Sequence, residues 1–280
     1  MTRATLSEVL TPALAGGYAV PGMVCLGWED MRAFVAAAEA ERAPVILQAG
    51  PGCRAHTPID VLGAMFGHLA DQASVPVVLH LDHGYTYAEA EAAIAAGFTS
   101  VMFDGSQKPL ADNIAETRAI ADLARAHDVS SEGEIGFVGY AAGKESRGTD
   151  PDEAAEFAAG TGVDAIAVSI GNVHLQTEAA ASIDMDLLRA IEAATDTPLV
   201  LHGSSGIPAE TRQMLATDTH VCKFNIGTEL RQVFGASLRQ SLADQPDAFD
   251  RIALLSPVED PLTEAARKVF KTLGTSGRAA

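Results

Sequence analysis

Short apolar runs rich in β-branched residues alternate along the chain with longer, alanine-rich stretches in which apolar positions recur every three or four residues. The short runs have the length and composition of buried strands, and the longer stretches have the period of amphipathic helices. The candidate strands are residues 18–24, 43–48, 75–81, 100–103, 129–135, 165–170, 198–203 and 221–226. The candidate helices are residues 29–42, 58–73, 86–96, 109–127, 151–159, 184–194, 208–216 and 227–242.

This alternation predicts an α/β fold in which eight parallel strands close into a (β/α)8 or TIM barrel. Several candidate strands are apolar nearly throughout, as expected for parallel strands that are covered on both faces. The 280-residue chain is close to the roughly 250 residues of such a barrel, and no long linker divides it, so we expect a single domain over residues 1–280. An open doubly wound sheet is the structural alternative. Its dinucleotide-binding form is disfavoured because no GxGxxG motif opens the first unit.

The charge balance restricts the partners of the protein. The formal net charge is -18, with 37 acidic against 19 basic residues, and no run is rich in lysine or arginine. This balance argues against binding to a nucleic acid or to an anionic membrane. A phosphorylated substrate would have to be held against the overall field by local backbone N–H groups or by a metal ion. Only 5% of the residues are aromatic, so we expect a core of Ala, Val, Leu and Ile.

The cysteines and the N-terminal residues indicate a cytoplasmic protein. Cys25, Cys53 and Cys222 are scattered and form no CxxC pair, so the sequence predicts no disulfide framework. The N-terminal sequence MTRATLSEVL lacks the apolar core of a signal peptide, and no segment approaches roughly 18 consecutive apolar residues. We therefore expect a soluble protein in the cytoplasm.

The longest irregular segment predicted between a strand and a helix is residues 136–150, which are rich in glycine and charge. It follows directly after a strand that carries Glu134 near its end. Loops of this length and position often close over an active site, so we predict an active-site lid. A surface loop without function is the alternative.

Polar residues collect where the candidate strands end. In a barrel every strand points its carboxyl end to the same face, so residues far apart in sequence would converge there on one site. The residues concerned are Asp82, His83, Asp104, Glu132, Glu134, His174 and His202.

Three of these residues could bind a catalytic metal. His83, His174 and His202 offer the three neutral nitrogens that catalytic zinc uses, with a coordination position left open for substrate. Asp104 and Glu134 would add oxygen ligands for a second metal position, or would orient the imidazoles by hydrogen bonds.

Two further polar residues in these strands are interpreted as supporting residues. His80 lies two residues before Asp82 and should share its strand face, where we expect a packed histidine bonded to backbone. Glu132 shares a face with Glu134, and we expect it to support a ligand rather than to bind metal.

Two segments rich in Gly, Ser and Thr follow the last two strands, HGSSGIP at 202–208 and NIGTE at 225–229. In barrels the loops after the seventh and eighth strands frequently hold phosphate with backbone N–H groups at a helix N-terminus. Their joint placement predicts a phosphate site, in which local N–H groups would hold the anion despite the negative net charge of the protein.

At these residues the sequence resembles the class II fructose-bisphosphate and tagatose-bisphosphate aldolase family, from GGYAVPG near the start to LGTSGRA near the end. HLDHG together with the later HGSSG is the most specific marker. The matching stretches are HLDHG (80–84), SVMFDGS (100–106), SEGEIG (131–136), VSIGNVH (168–174), LVLHGSSGIP (199–208) and CKFNIGTEL (222–230).

The resemblance implies a zinc-dependent lyase of carbohydrate metabolism, such as glycolysis, that cleaves a phosphorylated ketose reversibly to dihydroxyacetone phosphate and an aldehyde. It implies that Asp82 exchanges a proton with the aldehyde oxygen and that Asn225 steadies the enediolate. It also implies a homodimer or homotetramer. The implied substrate- and phosphate-binding residues are Gly203, Ser205, Asn225, Gly227 and Thr228.

The resemblance likewise assigns the metals. His83, His174 and His202 would bind the catalytic zinc, and Asp104 with Glu134 would form a second divalent position. A monovalent cation, Na⁺ or K⁺, could bind near the phosphate to backbone carbonyls around residues 173 and 203.

Other mechanisms remain open at this point. Lys223 lies in the eighth strand and would serve a covalent Schiff-base mechanism instead. A metal-dependent hydrolase could use Asp82 to activate water on the same barrel. A non-catalytic sugar-phosphate binder is the third alternative.

Three positions depart from the family pattern. Family members carry a lid glutamate where this chain has Ala142, and Glu145 is the candidate to replace it as the base. Leu175 stands where the family has a glycine after the second zinc histidine, and Gly50 stands where a Ser or Thr is common. These departures bear on the identity of the ketose more than on the aldol chemistry.

Overall fold

Eight parallel strands close into a barrel in the computed structural model, which describes residues 2–141, 143, 145–178 and 180–279. The ring closes through the pairing of β4 (Val77–Gly84) with β5 (Ser100–Phe103). The two-residue β1 (Arg3–Ala4) pairs with Val77 and Val78 of β4 on the side away from β3, just before the paired part of β5. This confirms the TIM barrel and excludes the open sheet. The strands are β1 Arg3–Ala4, β2 Val20–Val24, β3 Val45–Ala49, β4 Val77–Gly84, β5 Ser100–Phe103, β6 Ser130–Ile135, β7 Ala165–Val168, β8 Leu199–Leu201 and β9 Val221–Ile226.

The eight predicted helices are all present, with ends that differ by a few residues at most. The described residues form four further α-helices that were not predicted: α1 (Leu6–Gly16), α3 (Pro51–His56), α11 (Arg251–Leu255) and α12 (Glu259–Thr272). Within the described residues no helix combines the length and apolar character needed to cross a membrane. The helices are α1 Leu6–Gly16, α2 Trp28–Glu41, α3 Pro51–His56, α4 Ile59–Gln72, α5 Tyr87–Ala95, α6 Leu110–Ala126, α7 Pro151–Thr161, α8 Met185–Ala194, α9 Ala209–Asp218, α10 Thr228–Asp244, α11 Arg251–Leu255 and α12 Glu259–Thr272.

Helix α1 covers the amino-terminal end of the barrel. Thr5 caps it, and Glu8 completes a capping box by accepting from the Thr5 backbone N–H. The buried face of α1, with Leu6 and Leu10, packs onto side chains inside the barrel such as Ile46. One end of the barrel is therefore filled with apolar side chains, which leaves the opposite end for chemistry.

A larger apolar layer lies between the outer face of the strands and the surrounding helices. The C-terminal helix α12 belongs to this layer, because Leu262 and Phe270 are buried in it. Glu41 of α2 accepts a hydrogen bond from Arg267 of α12 at 2.7 Å, which ties the last helix to the first strand–helix unit.

The role of α1 as the floor of the barrel can be tested by Leu10→Ala. Leu10 is fully buried in the inner core, so its truncation should lower the free energy of unfolding by about 2–5 kcal/mol. The measurement is urea unfolding, with the exposed Thr11→Ala as the matched control. Equal stabilities of the two variants would show that α1 does not contribute to the core.

Candidate active site

A cavity of about 330 Å³ opens where the carboxyl ends of the barrel strands meet. Arg231, Tyr85, Tyr140, Leu26 and Leu175 also line it, although only Leu175 was singled out from sequence. The residues predicted from sequence that line the cavity are Asp82, His83, His174, Gly203, Ser205, Asn225, Gly227 and Thr228.

Asp82 and His83 are consecutive, yet both line the cavity. In a regular strand neighbouring side chains point to opposite faces. Here the pairing of β4 with β5 shifts register between Leu81 and Gly84, and His83 adopts a left-handed backbone with φ of 50°. This irregularity turns both side chains toward the site.

Arg54 of α3 holds this irregular backbone in place. Its Nη1 donates to the carbonyl of Ala49 at 2.7 Å and to that of Asp82 at 2.6 Å, and its Nη2 donates to the carbonyl of His83 at 2.9 Å. A strained conformation persists only where its surroundings enforce it. No sequence pattern indicates this role of Arg54, because these contacts join β3, α3 and β4 only in the folded chain.

The rings of His83, His174 and His202 converge, with one potential ligand atom from each within 4.8 Å of the others. The Nδ1–H of His83 donates to Asp104 at 2.8 Å, and the Nε2–H of His202 donates to Glu132 at 3.0 Å, because a carboxylate can only accept. The remaining nitrogens, His83 Nε2 and His202 Nδ1, face each other at 3.1 Å. At this distance the two nitrogens either share one hydrogen in a hydrogen bond or both turn lone pairs to a common cation.

The protonation of the three rings follows their surroundings. Burial lowers the pKa of His174 to about 4 and the pKa of His202 well below its usual value, so both rings are neutral and able to bind metal. Burial also opposes a charge on His83, but Asp82 and Asp104 outweigh it and raise its pKa to about 10. In the absence of metal His83 therefore carries the proton that a cation would displace.

Asp104 and Glu134 form a second group with His83, again with atoms within 4.8 Å of one another. Glu134 Oε2 is buried, has no hydrogen-bond partner among the described residues and lies 3.6 Å from His202 Nδ1. Burial first and then Asp104 raise the pKa of Glu134 to about 8. A buried acceptor without a partner beside ligand nitrogens fits a divalent cation, so the residues present suit the metal that the sequence predicted.

The segment 136–150 is attached to the site through His174. The backbone N–H of His174 donates to Gly139 at 2.8 Å, that of Ala141 donates to His174 at 3.0 Å, and the Tyr140 ring stacks on the His174 ring. Asn172 Nδ2 donates to the carbonyl of His202 at 2.9 Å, which joins the loop that carries His174 to the end of β8. The candidate lid and the second histidine are thus joined by two backbone hydrogen bonds and by ring stacking.

Asp82 and Asn225 face each other across the barrel, and Asn225 Nδ2 donates to Asp82 Oδ1 at 3.2 Å. Burial would raise the pKa of Asp82, but nearby positive charge, that of His83 first, outweighs burial and lowers it. Asp82 is therefore a buried carboxylate that stays ionised beside the metal cluster, as a proton acceptor requires.

The two predicted phosphate segments meet at the start of α10. Ser205 Oγ accepts from the backbone N–H groups of Gly227 and Glu229, both at 3.3 Å. Gly203 is left-handed with φ of 62°, and a Cβ there would lie 2.3 Å from the carbonyl oxygen of Val173. Only glycine permits this close approach, which brings the β8 loop against the His174 loop.

A row of buried polar side chains lies below the histidine cluster. Glu132 accepts from Lys223 Nζ at 2.7 Å as well as from His202, which agrees with its predicted supporting role. His80 is packed as predicted, but the prediction of a backbone partner is wrong. Its Nδ1 contacts Ser100 Oγ at 2.8 Å and its Nε2 contacts Lys223 at 3.3 Å, because the inside of the barrel offers side chains rather than free carbonyls.

The structure does not bring all predicted residues into the cavity. Glu145 is exposed and is not among the lining residues, and Ala142 lies outside the described residues. Lys223 is fully buried below the site and paired with Glu132, which disfavours the Schiff-base alternative. Gly50 lines the cavity, as does Leu175, whose backbone is left-handed with φ of 57°.

Known proteins resemble the chain over nearly its whole length. The sequence model of the family described as "Fructose-bisphosphate aldolase class-II" matches residues 4–278. The crystal structure of the YdjI aldolase from Escherichia coli K12 has 30% sequence identity and a TM-score of 0.88, and the match covers 99% of this chain and 100% of that chain.

Two more distant structures share the fold. A putative fructose-1,6-biphosphate aldolase from Coccidioides immitis is 24% identical, with a TM-score of 0.85 over 98% of this chain and 97% of that chain. Fructose-bisphosphate aldolase from Campylobacter jejuni is 21% identical, with a TM-score of 0.79 over 97% of this chain and 94% of that chain. Because the family match extends from β1 to beyond α12, the chain belongs to the class II fructose-bisphosphate aldolase family.

Proposed function

We propose that this protein is a zinc-dependent ketose-bisphosphate aldolase that cleaves a phosphorylated ketose reversibly to dihydroxyacetone phosphate and an aldehyde. The observation that carries the proposal is the convergence of His83, His174 and His202 beside a cavity that Asp82 and Asn225 also line. Three neutral nitrogens with an open position are the ligand set of catalytic zinc. Fructose- and tagatose-bisphosphate are the substrates to test first.

The metal and the carboxylates have separate tasks in this proposal. A divalent cation held by the three histidines would act as a Lewis acid on the ketose carbonyl and stabilise negative charge that develops next to it. Asp104 and Glu134 would hold a second divalent cation or fix the orientation of His83, and the hydrogen bond from His83 to Asp104 supports the latter role directly.

Asp82 is the proposed proton-transfer group. In the cleavage direction it accepts the proton of the substrate hydroxyl that becomes the aldehyde oxygen, and in condensation it returns that proton. The lowered pKa of Asp82 keeps its carboxylate ionised and therefore able to accept a proton, and the hydrogen bond from Asn225 fixes its position. The Oδ1 of Asn225 is buried without a partner among the described residues, so Asn225 can also contact the ketose fragment.

The phosphate of the ketose would bind at the start of α10. Gly203, Ser205, Gly227 and Thr228 line the cavity there, and the N-terminus of a 17-residue helix supplies positive potential. This local field would offset the net charge of -18. A monovalent cation bound by carbonyls near Val173 and Gly203 would add to it.

Segment 136–150 would act as the lid. A bridge between Phe137 and Arg147 joins the two ends of the segment, and the hydroxyl of Thr149 donates to Ile135 at 2.7 Å. The part between them, which includes Tyr140 and Glu145, could close over the cavity while this base stays fixed. Glu145 is the proposed base that removes a proton from dihydroxyacetone phosphate.

We further propose a single-domain cytoplasmic enzyme that forms a homodimer or homotetramer, without nucleic acid or membrane partners. Phe249 and Ile252, before and at the start of α11, are 96% and 75% exposed. Side chains of this kind often become buried between subunits, which supports an oligomer. The absence of a basic run supports a sugar-phosphate role over nucleic-acid binding.

Removal of the metal is the first test. Treatment with EDTA should abolish release of dihydroxyacetone phosphate from ketose bisphosphates, and Zn²⁺ should restore it, because Lys223 is buried and cannot replace the metal by a covalent intermediate. The measurement is a coupled assay of dihydroxyacetone phosphate. Full activity in metal-stripped protein, with substrate trapped by borohydride, would refute zinc dependence and favour the lysine mechanism.

Asp82→Ala separates proton transfer from metal binding. We expect the variant to keep its zinc and to lose about 10²–10⁴-fold in kcat, the usual contribution of a general acid–base group. Zinc content by atomic absorption and kcat are measured on the same preparation. A variant that loses its zinc would identify Asp82 as a ligand instead.

Glu145→Gln tests the lid base. The variant should exchange the C3 proton of dihydroxyacetone phosphate with solvent more slowly than the parent, while metal content and substrate affinity change little. Glu178→Gln, an exposed glutamate outside segment 136–150, is the control. Equal exchange in parent and Glu145→Gln would rule Glu145 out as the base. No exchange in the parent would favour a non-catalytic sugar-phosphate binder.

A further inference from the structure

Five buried side chains form a chain of hydrogen bonds across the inside of the barrel, below the cavity. We refer to Ser100, His80, Lys223, Glu132 and His202 as the polar ladder. Neighbouring members lie 2.8, 3.3, 2.7 and 3.0 Å apart in that order. All five come from different strands or strand ends, and all are buried. The ladder begins at Ser100 in β5 and ends at His202, a proposed zinc ligand.

The chemistry of the members fixes where each hydrogen lies. The ammonium of Lys223 can only donate, so it donates to Glu132 Oε2 and to His80 Nε2. His80 must then carry its hydrogen on Nδ1 and donate to Ser100 Oγ. The carboxylate of Glu132 can only accept, so the hydrogen in its contact with His202 lies on His202 Nε2.

This arrangement has a consequence for the proposed metal site. With its hydrogen on Nε2, His202 presents the lone pair of Nδ1 to His83 Nε2, 3.1 Å away. In the opposite tautomer Nδ1 would carry a hydrogen and could not bind metal. His202 can therefore act as a ligand through Nδ1 only if residue 132 presents a hydrogen-bond acceptor to its Nε2.

We propose that Lys223 and Glu132 are positioning residues that select the metal-binding tautomer of His202. The proposal rests on the proposed metal site and adds a role for Lys223 that the sequence did not suggest. Glu132 supplies the acceptor for His202, and Lys223 saturates the other oxygen of Glu132 and holds His80 in its matching tautomer. A buried ion pair is weak evidence for a role in stability, and here it specifies a hydrogen position.

Glu132→Gln should invert the tautomer while it keeps the shape of the side chain. The amide has one acceptor and one donor end, and Lys223 can be satisfied only by the acceptor oxygen. The NH2 group must then face His202 Nε2, which becomes an acceptor and leaves the hydrogen on Nδ1. We expect the affinity for Zn²⁺ to fall on the order of 10–100-fold, as for other groups that orient a metal-binding histidine.

The double variant Glu132→Gln with Lys223→Met should recover most of this loss. Methionine cannot donate, so the amide is free to turn its oxygen toward His202 Nε2 and its NH2 toward His80 Nε2. His80 Nε2 lies 3.6 Å from Glu132 Oε2 in the parent, so a small shift completes that contact. The double variant should therefore bind Zn²⁺ more tightly than Glu132→Gln alone, although it carries one more substitution.

The experiment uses the full-length protein. After metal removal, Zn²⁺ affinity is measured by competition with a chelator, and ¹⁵N-histidine NMR shows which nitrogen of His202 carries the hydrogen in the metal-free state. Glu41→Gln is the matched control, because Glu41 is also a buried carboxylate with a cationic partner, Arg267 at 2.7 Å, but lies between α2 and α12. Its Zn²⁺ affinity should equal that of the parent.

Three results would overturn the proposal: unchanged affinity in Glu132→Gln, an unchanged tautomer of His202 in that variant, or a double variant that binds no better than the single one. Failure of the proposed function looks different. If the parent itself does not bind Zn²⁺, the metal site is wrong, and the tautomer measurement on the metal-free variants still decides whether the ladder sets the hydrogen position.

Discussion

Three imidazole rings can share one cation only if each turns an unprotonated nitrogen toward the same point, and this constraint organises the site. Asp104 accepts a hydrogen bond from His83 and Glu132 accepts one from His202, so that the other ring nitrogens of the two histidines face each other. The barrel makes this possible because parallel strands bring their carboxyl ends together. Glu132 is buried and Asp104 is largely covered, and hydrogen bonds to charged groups are strong in such surroundings.

The same constraint explains where the structure departs from regularity. In a regular strand the side chains of Asp82 and His83 would point to opposite faces. The left-handed backbone at His83 and the shift of register in β4 place both side chains at the site. Arg54 holds that backbone with three hydrogen bonds to carbonyl oxygens. The inside of the barrel is therefore divided, with apolar side chains and α1 at one end and paired charges below the opening at the other.

The sequence predicts the repeating part of the fold well and the irregular part poorly. Strands and the eight main helices follow from local periodicity, and the convergence of His83, His174 and His202 follows from barrel geometry. Helix α1 was missed because it precedes the first strand of the βα repeat. Arg54 was missed because its role depends on three elements that meet only after folding. The predicted backbone partner of His80 was wrong for the same reason, because Lys223 is distant in sequence and meets His80 only in the folded barrel.

In the proposed function, His83, His174 and His202 together bind the catalytic metal. Anomalous X-ray diffraction at the zinc edge, from crystals grown with Zn²⁺, locates the metal. We expect a peak within bonding distance of His83 Nε2, His202 Nδ1 and a ring nitrogen of His174. Crystals grown with saturating Zn²⁺ that show no peak among these rings, or that show zinc bound elsewhere with His202 hydrogen-bonded to His83, would rule out a metal site formed by the three histidines.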